Sequence, residues 1–304
     1  MTNDLRPTDL SGILGQKHIM QALQISITSA KKRATCLDHT LFYGPPGTGK
    51  TTLSNAIATE MNCSIQVANG ANLRTIKSLI PYIMRVKEHG ILFVDEIHRM
   101  TKIVEEFMYP VMEDFQVDMS VETKDMMGET LSIDIPRFTL IGATTEFGAL
   151  SKPLIDRFKH KHTLELYNNT DLRQIIDSNS KKLNLSISDE GRNFVTKISR
   201  GTPRIANATL EWLRDYQIAE GVPRLLESHV GAAMKMRGVD SEGLTRMDRK
   251  YLKVLRNSPH PLGINTLVST TGIDRETIEG IIEPWLLQTQ KISKTSKGRV
   301  ILGC

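Results

Sequence analysis

Cysteines are scarce in this sequence of 304 residues, because only Cys36, Cys63 and Cys304 occur and their spacing fits no metal-binding pattern. An odd set of isolated cysteines argues against a disulfide framework and is typical of reduced thiols in the cytosol. The sequence also lacks a run of about 18 apolar residues. Its amino terminus has no apolar segment of the kind found in signal peptides. We therefore expect a cytoplasmic protein without a membrane span.

The overall composition is ordinary for a soluble protein, with 39% hydrophobic and 24% charged residues. The chain is long enough for roughly two or three domains, and no internal repeat or low-complexity tract stands out. Its formal charge of +5 and isoelectric point of about 9.0 permit an anionic partner without identifying one.

A glycine-rich loop is the most informative stretch, and from Gly44 to Thr52 it reads GPPGTGKTT. The pattern predicts a phosphate-binding loop, because a buried strand precedes it at 40–43 and a helix begins directly after it. Backbone N–H groups of such a loop point inward at phosphate, and the helix amino terminus adds partial positive charge. Lys50 is placed to reach the β- and γ-phosphates, and the Thr51 hydroxyl to ligate Mg²⁺.

A second stretch, ILFVDE at 91–96, predicts a fully buried strand that ends in two carboxylates. In a nucleotide-binding sheet such carboxylates lie beside the phosphate loop. Asp95 would then complete the Mg²⁺ shell, and Glu96 would orient and polarise the attacking water. Taken alone, the pair would be better explained as an acidic cap between strand and helix, but its combination with the phosphate loop favours catalysis.

Two alternating runs between residues 116 and 138 predict a β-hairpin around a turn that contains Gly128. Met126 and Met127 fall in the predicted tip, where a solvated turn would be polar. Methionine suits an adaptable contact surface, but packing of both side chains back onto their own strands remains equally open.

The remaining pattern divides the chain further. Strands alternate with helices up to about residue 166, which predicts a parallel α/β sheet. From there only helices are predicted, at 170–183, 188–199, 203–219 and 223–237. Residues 241–304 combine helical runs at 246–257, 263–271 and 275–290 with two short runs around a turn, as in a winged helix. This segment has ten Lys and Arg against six Asp and Glu, a net charge of +4, although charge alone would favour a solvated basic surface.

With these residues placed, the chain closely resembles the RuvB family of AAA+ ATPases, the bacterial motors of Holliday-junction branch migration. The stretches that carry the resemblance extend nearly end to end, and they are 5–7, 44–52, 91–99, 109–115, 141–145, 201–207, 246–252 and 281–288. Other AAA+ proteins share the phosphate loop and the Asp-Glu pair, but they do not share the hairpin together with the C-terminal segment.

The resemblance implies a domain organisation, a function and partners. It implies an AAA+ ATPase domain at 1–168 with the hairpin insertion at 116–138, a helical lid at 169–238 and a winged-helix DNA-binding domain at 239–304. The implied activity is ATP-driven, Mg²⁺-dependent translocation of double-stranded DNA that migrates Holliday junctions in recombination and repair. The implied partners are RuvA, which docks on the hairpin, the RuvC resolvase, and further copies of the chain in a hexameric ring.

The resemblance also implies functions for single residues. Leu5, Arg6 and Tyr167 match contacts to adenine and ribose, and Gly47, Lys50, Thr51 and Thr52 match phosphate contacts. Glu113, Asp114 and Phe115 match a further nucleotide-contacting stretch. Thr145, next to Thr144, matches the γ-phosphate sensor and Arg204 the second sensor. Arg157 matches an arginine finger that reaches the neighbouring subunit's ATP. On the wing, Lys294, Lys297 and Arg299 match DNA contacts, and the absence of aromatic residues from 292–302 favours phosphate contacts over base stacking.

Four kinds of departure from the family pattern stand out. Ile155 replaces an arginine two residues before Arg157, and Glu146 replaces the arginine that usually follows the strand-end threonines. Both positions are expected near the subunit interface. Thr48 replaces a leucine in a loop that acts through its backbone. Lys294 and Lys297 stand where arginine is frequent, which keeps attraction to phosphate but loses bidentate geometry.

Two alternative functions remain open at this point. A clamp-loader-like AAA+ remodeller would share the phosphate loop and Asp95-Glu96 but would not need a basic winged helix. A nucleotide-gated DNA-binding regulator would use residues 241–304 without hydrolysis, but a pure binder needs neither Glu96 nor Arg157.

Overall fold

The computed structural model describes residues 5–123 and 126–302, with the side chains of residues 119–130 left undescribed. The chain divides into two compact units, Met1–Glu165 and Leu166–Cys304. None of the helices in the described part of the chain is both long and apolar enough to cross a membrane.

The first unit alternates helices and strands, as its sequence pattern predicts. Its helices are α1 (Lys17–Arg33), α2 (Lys50–Met61), α3 (Ile76–Ile83), α4 (Lys102–Glu113) and α5 (Lys152–Arg157). Its strands are β1 (Thr40–Tyr43), β2 (Ile65–Asn69), β3 (Ile91–Asp95), β4 (Gln116–Thr123), β5 (Met126–Asp134), β6 (Thr139–Thr144) and β7 (His160–Thr163).

Five of these strands form a parallel sheet in the order β2-β3-β6-β1-β7, which confirms the predicted α/β class. Neighbouring side chains on a strand point to opposite faces, so Leu41 and Leu92 enter one apolar core while Phe42 and Phe93 enter the other. Because both faces are covered, the central strands are apolar throughout. The carboxyl ends of β1, β3 and β6 meet at one edge, where the functional residues collect.

Strands β4 and β5 pair separately as an antiparallel hairpin. The second strand begins earlier than the sequence pattern predicts, because Met126 pairs with Thr123. The prediction that Met126 and Met127 lie in the tip is therefore wrong, because both belong to β5. The alternation of apolar residues in the sequence begins only at Leu131, so it predicts β5 from there. Backbone pairing does not require that alternation, and it therefore extends further. The side chains of Met126 and Met127 lie outside the described part of the structure.

The second unit contains two apolar cores. The first core is formed by α6 (Asn169–Lys182), α7 (Asp189–Ile198), α8 (Pro203–Glu220) and α9 (Glu227–Met236). Side-chain oxygens of Asn168 and Ser188 cap α6 and α7 as expected for these residue types. Helix α9 begins four residues later than predicted, because Leu225 instead pairs with the backbone of Ser186.

The second core belongs to the carboxyl-terminal segment, which consists of α10 (Arg246–Arg256), α11 (Ile264–Thr271), α12 (Arg275–Thr277), α13 (Glu283–Gln288), β8 (Ile292–Thr295) and β9 (Gly298–Ile301). A five-residue π-helix at Ile278–Ile282 interrupts the single helix predicted at 275–290. The interruption precedes Pro284, which has no N–H to continue an α-helical ladder. Strands β8 and β9 pair as the predicted wing.

A buried ion pair joins the two halves of this unit. Arg200 follows α7, and its guanidinium donates hydrogen bonds to the carboxylate of Asp248 on α10 and, over 2.6 Å, to the carbonyl of Gly243. The same guanidinium lies 4.7 Å from the ring centroid of Trp285. The pair therefore ties α7 to the carboxyl-terminal segment.

Candidate functional site

The phosphate loop connects β1 to α2 and depends on glycine at three positions. Gly44, Gly47 and Gly49 have φ values of 141°, 79° and 109°, which side chains rarely tolerate. A Cβ on Gly44 would lie 2.1 Å from the carbonyl oxygen of Leu164. Only glycine therefore allows the loop to begin so close to the backbone of Leu164, which follows β7.

The first residue of α2, Lys50, is buried at the centre of this loop. Its Nζ donates to the carbonyl oxygens of Gly44 at 2.7 Å and Pro45 at 2.9 Å. The Thr48 hydroxyl donates to the same Pro45 carbonyl over 2.9 Å, which rigidifies the loop. A buried ammonium beside a helix amino terminus fits a polyphosphate ligand.

Oxygen ligands for a cation lie next to the loop. Thr51 follows Lys50, and its hydroxyl lies 3.5 Å from Oδ2 of Asp95 at the end of β3. No group of three His, Cys, Asp or Glu side chains is positioned to hold a metal within the described residues. This donor set fits Mg²⁺, which binds proteins through one or two oxygen ligands and otherwise keeps water and substrate phosphates.

Glu96 lies beside Asp95 in a left-handed conformation, with φ of 48°. Such backbone geometry is uncommon for glutamate and is frequent at functional sites. Gly70 contributes to this geometry, because a Cβ there would lie 2.2 Å from the Glu96 carbonyl oxygen. The hydroxyl of Thr145, directly after β6, donates to Oε2 of Glu96 over 3.2 Å. The structure thus brings together the predicted base and the predicted γ-phosphate sensor.

Sequence reasoning missed one residue here, His98. Its ring lies between Glu96 and Glu146 and contacts the hydroxyl of Thr144. The only sequence signal for His98 is its position two residues after the carboxylate pair. In an irregular segment such a spacing does not predict that the side chains of His98 and Glu96 touch.

Arg157, the predicted finger, is the last residue of α5 and is held by its own chain. Its guanidinium donates to Glu113 over 3.0 Å and to the Pro153 carbonyl over 2.9 Å. The same group lies 4.1 Å from the ring centroid of Tyr109. Glu113 and Arg157, both predicted as nucleotide contacts, therefore lie together at the end of α4.

The other predicted nucleotide residues are placed as follows. In the first unit Leu5 is buried and Arg6 and Asp114 are exposed, while Thr52 lies in the first turn of α2. Phe115 has a positive φ of 55° and packs against Phe138.

Tyr167 and Arg204 belong to the second unit. Gly201, three residues before Arg204, contacts the backbone of Tyr167. The backbone N–H of Tyr167 donates to the Gly201 carbonyl over 2.8 Å. A Cβ on Gly201 would lie 3.0 Å from the carbonyl oxygen of Tyr167. Arg204 is exposed in the first turn of α8, with its backbone direction set by Pro203 at the start of the helix.

The three basic residues of the wing that are predicted to contact DNA have different surroundings. Arg299 is only 12% exposed, and its guanidinium donates to Glu283 and to Glu279 over 2.8 Å each. Lys294 also lies 2.6 Å from Glu283, whose side chain is fully buried. Lys297, in the turn, is exposed.

Glu283 is the reason for this difference, because a buried carboxylate needs compensating charge. It also accepts a hydrogen bond from the Tyr251 hydroxyl over 2.9 Å. Burial and the negative charge of Glu283 raise the pKa of Tyr251. Burial opposes the charged form of Arg299, but the hydrogen bond and charge of Glu283 outweigh it and raise the pKa of Arg299.

Comparison with known protein families gives three matches that together cover nearly the whole chain. The model described as the Holliday junction DNA helicase RuvB P-loop domain matches residues 5–164. The RuvB AAA lid domain matches residues 167–240, and the RuvB C-terminal winged helix domain matches residues 241–302.

Full-length relatives are similar to the chain in sequence and in structure. A Holliday junction branch migration complex subunit, RuvB 1 of Synechococcus sp., is 41% identical over 299 residues, which is 98% of this chain and 79% of the relative. The corresponding RuvB subunit of Kosmotoga olearia is 40% identical over 99% of this chain and 88% of its own. The solved structure of the Thermotoga maritima RuvB Holliday junction branch migration motor superimposes with a TM-score of 0.89 at 35% identity, over 99% of this chain and 96% of that chain.

Proposed function

Because the chain belongs to the RuvB family, we propose that it is an ATP-driven DNA helicase that migrates Holliday junctions. The observation that carries this function is the convergence of Lys50, Asp95, Glu96 and Thr145 at one sheet edge, in a chain that also has the family's winged helix. A nucleotide-gated regulator would need no oriented carboxylate, and a clamp-loader-like remodeller would need no such wing.

The arrangement performs phosphoryl transfer to water. Glu96 accepts a proton from water as the water oxygen bonds to the γ-phosphorus and the bond to the departing ADP breaks. The Thr145 hydroxyl orients the Glu96 carboxylate by donating to Oε2. Lys50 offsets negative charge on the phosphoryl oxygens. Thr51 and Asp95 are the residues that would hold Mg²⁺, which supplies charge compensation on the phosphates when bound.

We assign the remaining nucleotide contacts to Leu5, Arg6, Tyr167 and Arg204, and we place Arg157 at the ATP of a neighbouring copy. A residue that reaches a neighbour's ATP requires an assembly, for which we propose a closed hexameric ring. The Glu113 carboxylate and the Tyr109 ring hold the Arg157 guanidinium in place at the end of α5, which supports a defined direction for it.

Three macromolecular partners follow from the family. Double-stranded DNA is proposed to contact the wing, where exposed Lys297 offers a charge for phosphate. RuvA is proposed to dock on the β4–β5 hairpin, where Leu131 is exposed, together with Met126 and Met127. RuvC is the proposed resolvase that receives the migrated junction. We propose cytoplasmic localisation and domain boundaries near residues 168 and 238.

Junction migration by the purified protein tests the function. We expect ATP hydrolysis that DNA stimulates, and unwinding of a synthetic four-way junction when the RuvA partner is present. The Glu96→Gln variant serves as the control for contaminating nucleases and helicases. Hydrolysis without any junction unwinding in the presence of RuvA would favour the clamp-loader-like alternative, and DNA binding without hydrolysis would favour the regulator.

A further inference from the structure

The ring of His98 lies in a gap between two carboxylates that belong to different segments. His98 is in the short 3₁₀ turn at Ile97–Arg99 after β3, and its side chain is 9% exposed. Its Nδ1 lies 3.3 Å from Oε2 of Glu96, and its Nε2 lies 3.5 Å from Oε1 of Glu146. The side chain of Glu146 is 61% exposed, so this carboxylate lies between the ring and solvent.

Thr144 adds a third contact that fixes the plane of the ring. Its buried hydroxyl lies 2.9 Å from Nδ1 of His98. The same oxygen accepts a hydrogen bond from the backbone N–H of Glu146 over 2.9 Å. Because a hydroxyl accepts as well as donates, Thr144 can share the Nδ1–H of His98 with Oε2 of Glu96. The ring is therefore contacted at Nδ1 by Glu96 and Thr144 and at Nε2 by Glu146.

These contacts distribute unequally over the two oxygens of Glu96. Oε2 receives the hydroxyl of Thr145 and faces Nδ1 of His98. Oε1 has no hydrogen-bond donor among the side chains that the structure describes. The carboxylate is thus restrained through one oxygen, which leaves the other to take a proton from water. General-base catalysis depends on this kind of orientation as much as on basicity.

We propose that His98 is a positioning residue for ATP hydrolysis, which holds Oε2 of Glu96 through Nδ1 while Glu146 anchors the ring through Nε2. The inference rests on the proposed ATPase function. His98 does not touch the phosphate or the water. It acts through Glu96, and Glu146 acts through His98.

Two replacements of His98 separate the two edges of the ring. In His98→Asn the amide nitrogen can occupy the place of Nδ1, which keeps the contact to Glu96. In His98→Gln the longer amide reaches only the place of Nε2, which keeps the contact to Glu146. We expect kcat of H98Q to fall about tenfold or more with KM for ATP unchanged within about twofold, and kcat of H98N to stay within about threefold of the parent. Half-exposed His89 provides the matched control, and H89N should behave like the parent protein.

Glu146→Ala gives a test that does not disturb the interior, because that side chain is mostly exposed. We expect a fall in kcat of about threefold with unchanged KM and unchanged melting temperature. Equal losses in H98N and H98Q, accompanied by equal losses in melting temperature, would overturn positioning in favour of a packing role. A parental kcat in H98Q would show that the contact of His98 with Glu96 does not matter for hydrolysis. A parental kcat in E146A would show the same for the contact of His98 with Glu146. If the parent protein itself hydrolysed no ATP, the proposed function would fail, whereas these variant patterns concern only the positioning of Glu96.

Discussion

At the scale of single residues, the site separates binding from chemistry. Lys50 lies inside the phosphate loop, whereas Glu96 is held at the end of the neighbouring strand in a strained backbone conformation. Their side chains contact different partners. Each can therefore be altered with a distinct consequence.

We expect Lys50→Ala to weaken ATP binding and abolish hydrolysis, because the loop loses its only buried cation for phosphate within the described residues. Glu96→Gln should leave ATP bound but reduce kcat by about a hundredfold or more, because the amide cannot accept the proton. Binding of a fluorescent ATP analogue and steady-state hydrolysis measure the two effects. Normal turnover in E96Q would show that another group accepts the proton.

A histidine on the edge strand predicts sensitivity of the fold to acid. Burial, together with the charges of His160 and His18, lowers the pKa of His162 to about 4. The unfolded chain therefore binds more protons than the folded chain between about pH 6.5 and 4. Stability should rise with pH through that window and fall on acidification. His162→Gln should flatten this dependence in urea unfolding measured at pH 7, 6 and 5. An unchanged slope would assign the acid sensitivity to other groups.

At the scale of elements, the wing combines basic residues that pack against Glu283 with one that is proposed to contact DNA. Arg299 and Lys294 compensate buried Glu283, whereas Lys297 in the turn is exposed. The basic residues of the hairpin therefore have different roles, although their sequence positions look equivalent.

We expect Lys297→Ala to weaken binding about equally for unrelated DNA sequences and to lower the log–log salt slope by about one unit, because one phosphate contact is lost. Arg299→Ala should instead destabilise the fold by about 1–3 kcal/mol, because Glu283 loses the guanidinium that donates to both of its oxygens while Lys294 remains. Exposed Lys253 on α10 supplies the control. A salt titration of K297A that overlaid the parent's would place the DNA contacts elsewhere.

The elements that could be predicted are those whose side chains repeat a local period. The apolar strands β1 and β3 and the helices α6, α7, α8, α10 and α11 fall near their predicted bounds. The π-helix at 278–282 could not be predicted, because it depends on how Pro284 is accommodated by the surrounding core. The early start of β5 was missed because backbone pairing leaves no apolar pattern at residues 126–130.

Within the site, the residues with a motif were predictable and those with only a spatial partner were not. Lys50, Asp95 and Glu96 follow from local sequence and strand order. The contact of His98 with Glu146 spans two different strand ends, and the contact of Arg299 with Glu283 joins a strand to a helix. Neither pair has a spacing that any local rule recognises.

At the scale of the whole molecule, the proposed arginine finger would make hydrolysis depend on more than one chain. Arg157 is held at the end of α5 by Glu113 and Tyr109, and in the proposed ring it serves the neighbour's ATP. Loss of a residue in one copy can then be offset by another copy.

We expect Arg157→Ala and Lys50→Ala proteins each to be nearly inactive alone. Mixed in equal amounts, they should recover part of the hydrolysis, because some interfaces pair an intact loop with an intact finger. Hydrolysis across a series of mixing ratios measures the recovery, with co-assembly checked by light scattering. Complete absence of recovery in demonstrated mixed rings would mean that each ATP is served by one chain.

The buried pair of Arg200 and Asp248 has a mechanical consequence. Separating such a pair leaves an uncompensated charge in the interior at a cost of about 3–5 kcal/mol, and Arg200 is also bound to Gly243 and stacked on Trp285. Arg200 directly precedes Gly201, whose carbonyl receives the N–H of Tyr167. The connection between α7 and the carboxyl-terminal segment is therefore rigid. We expect a rotation of the backbone beside Tyr167, the proposed adenine contact, to move the wing with it.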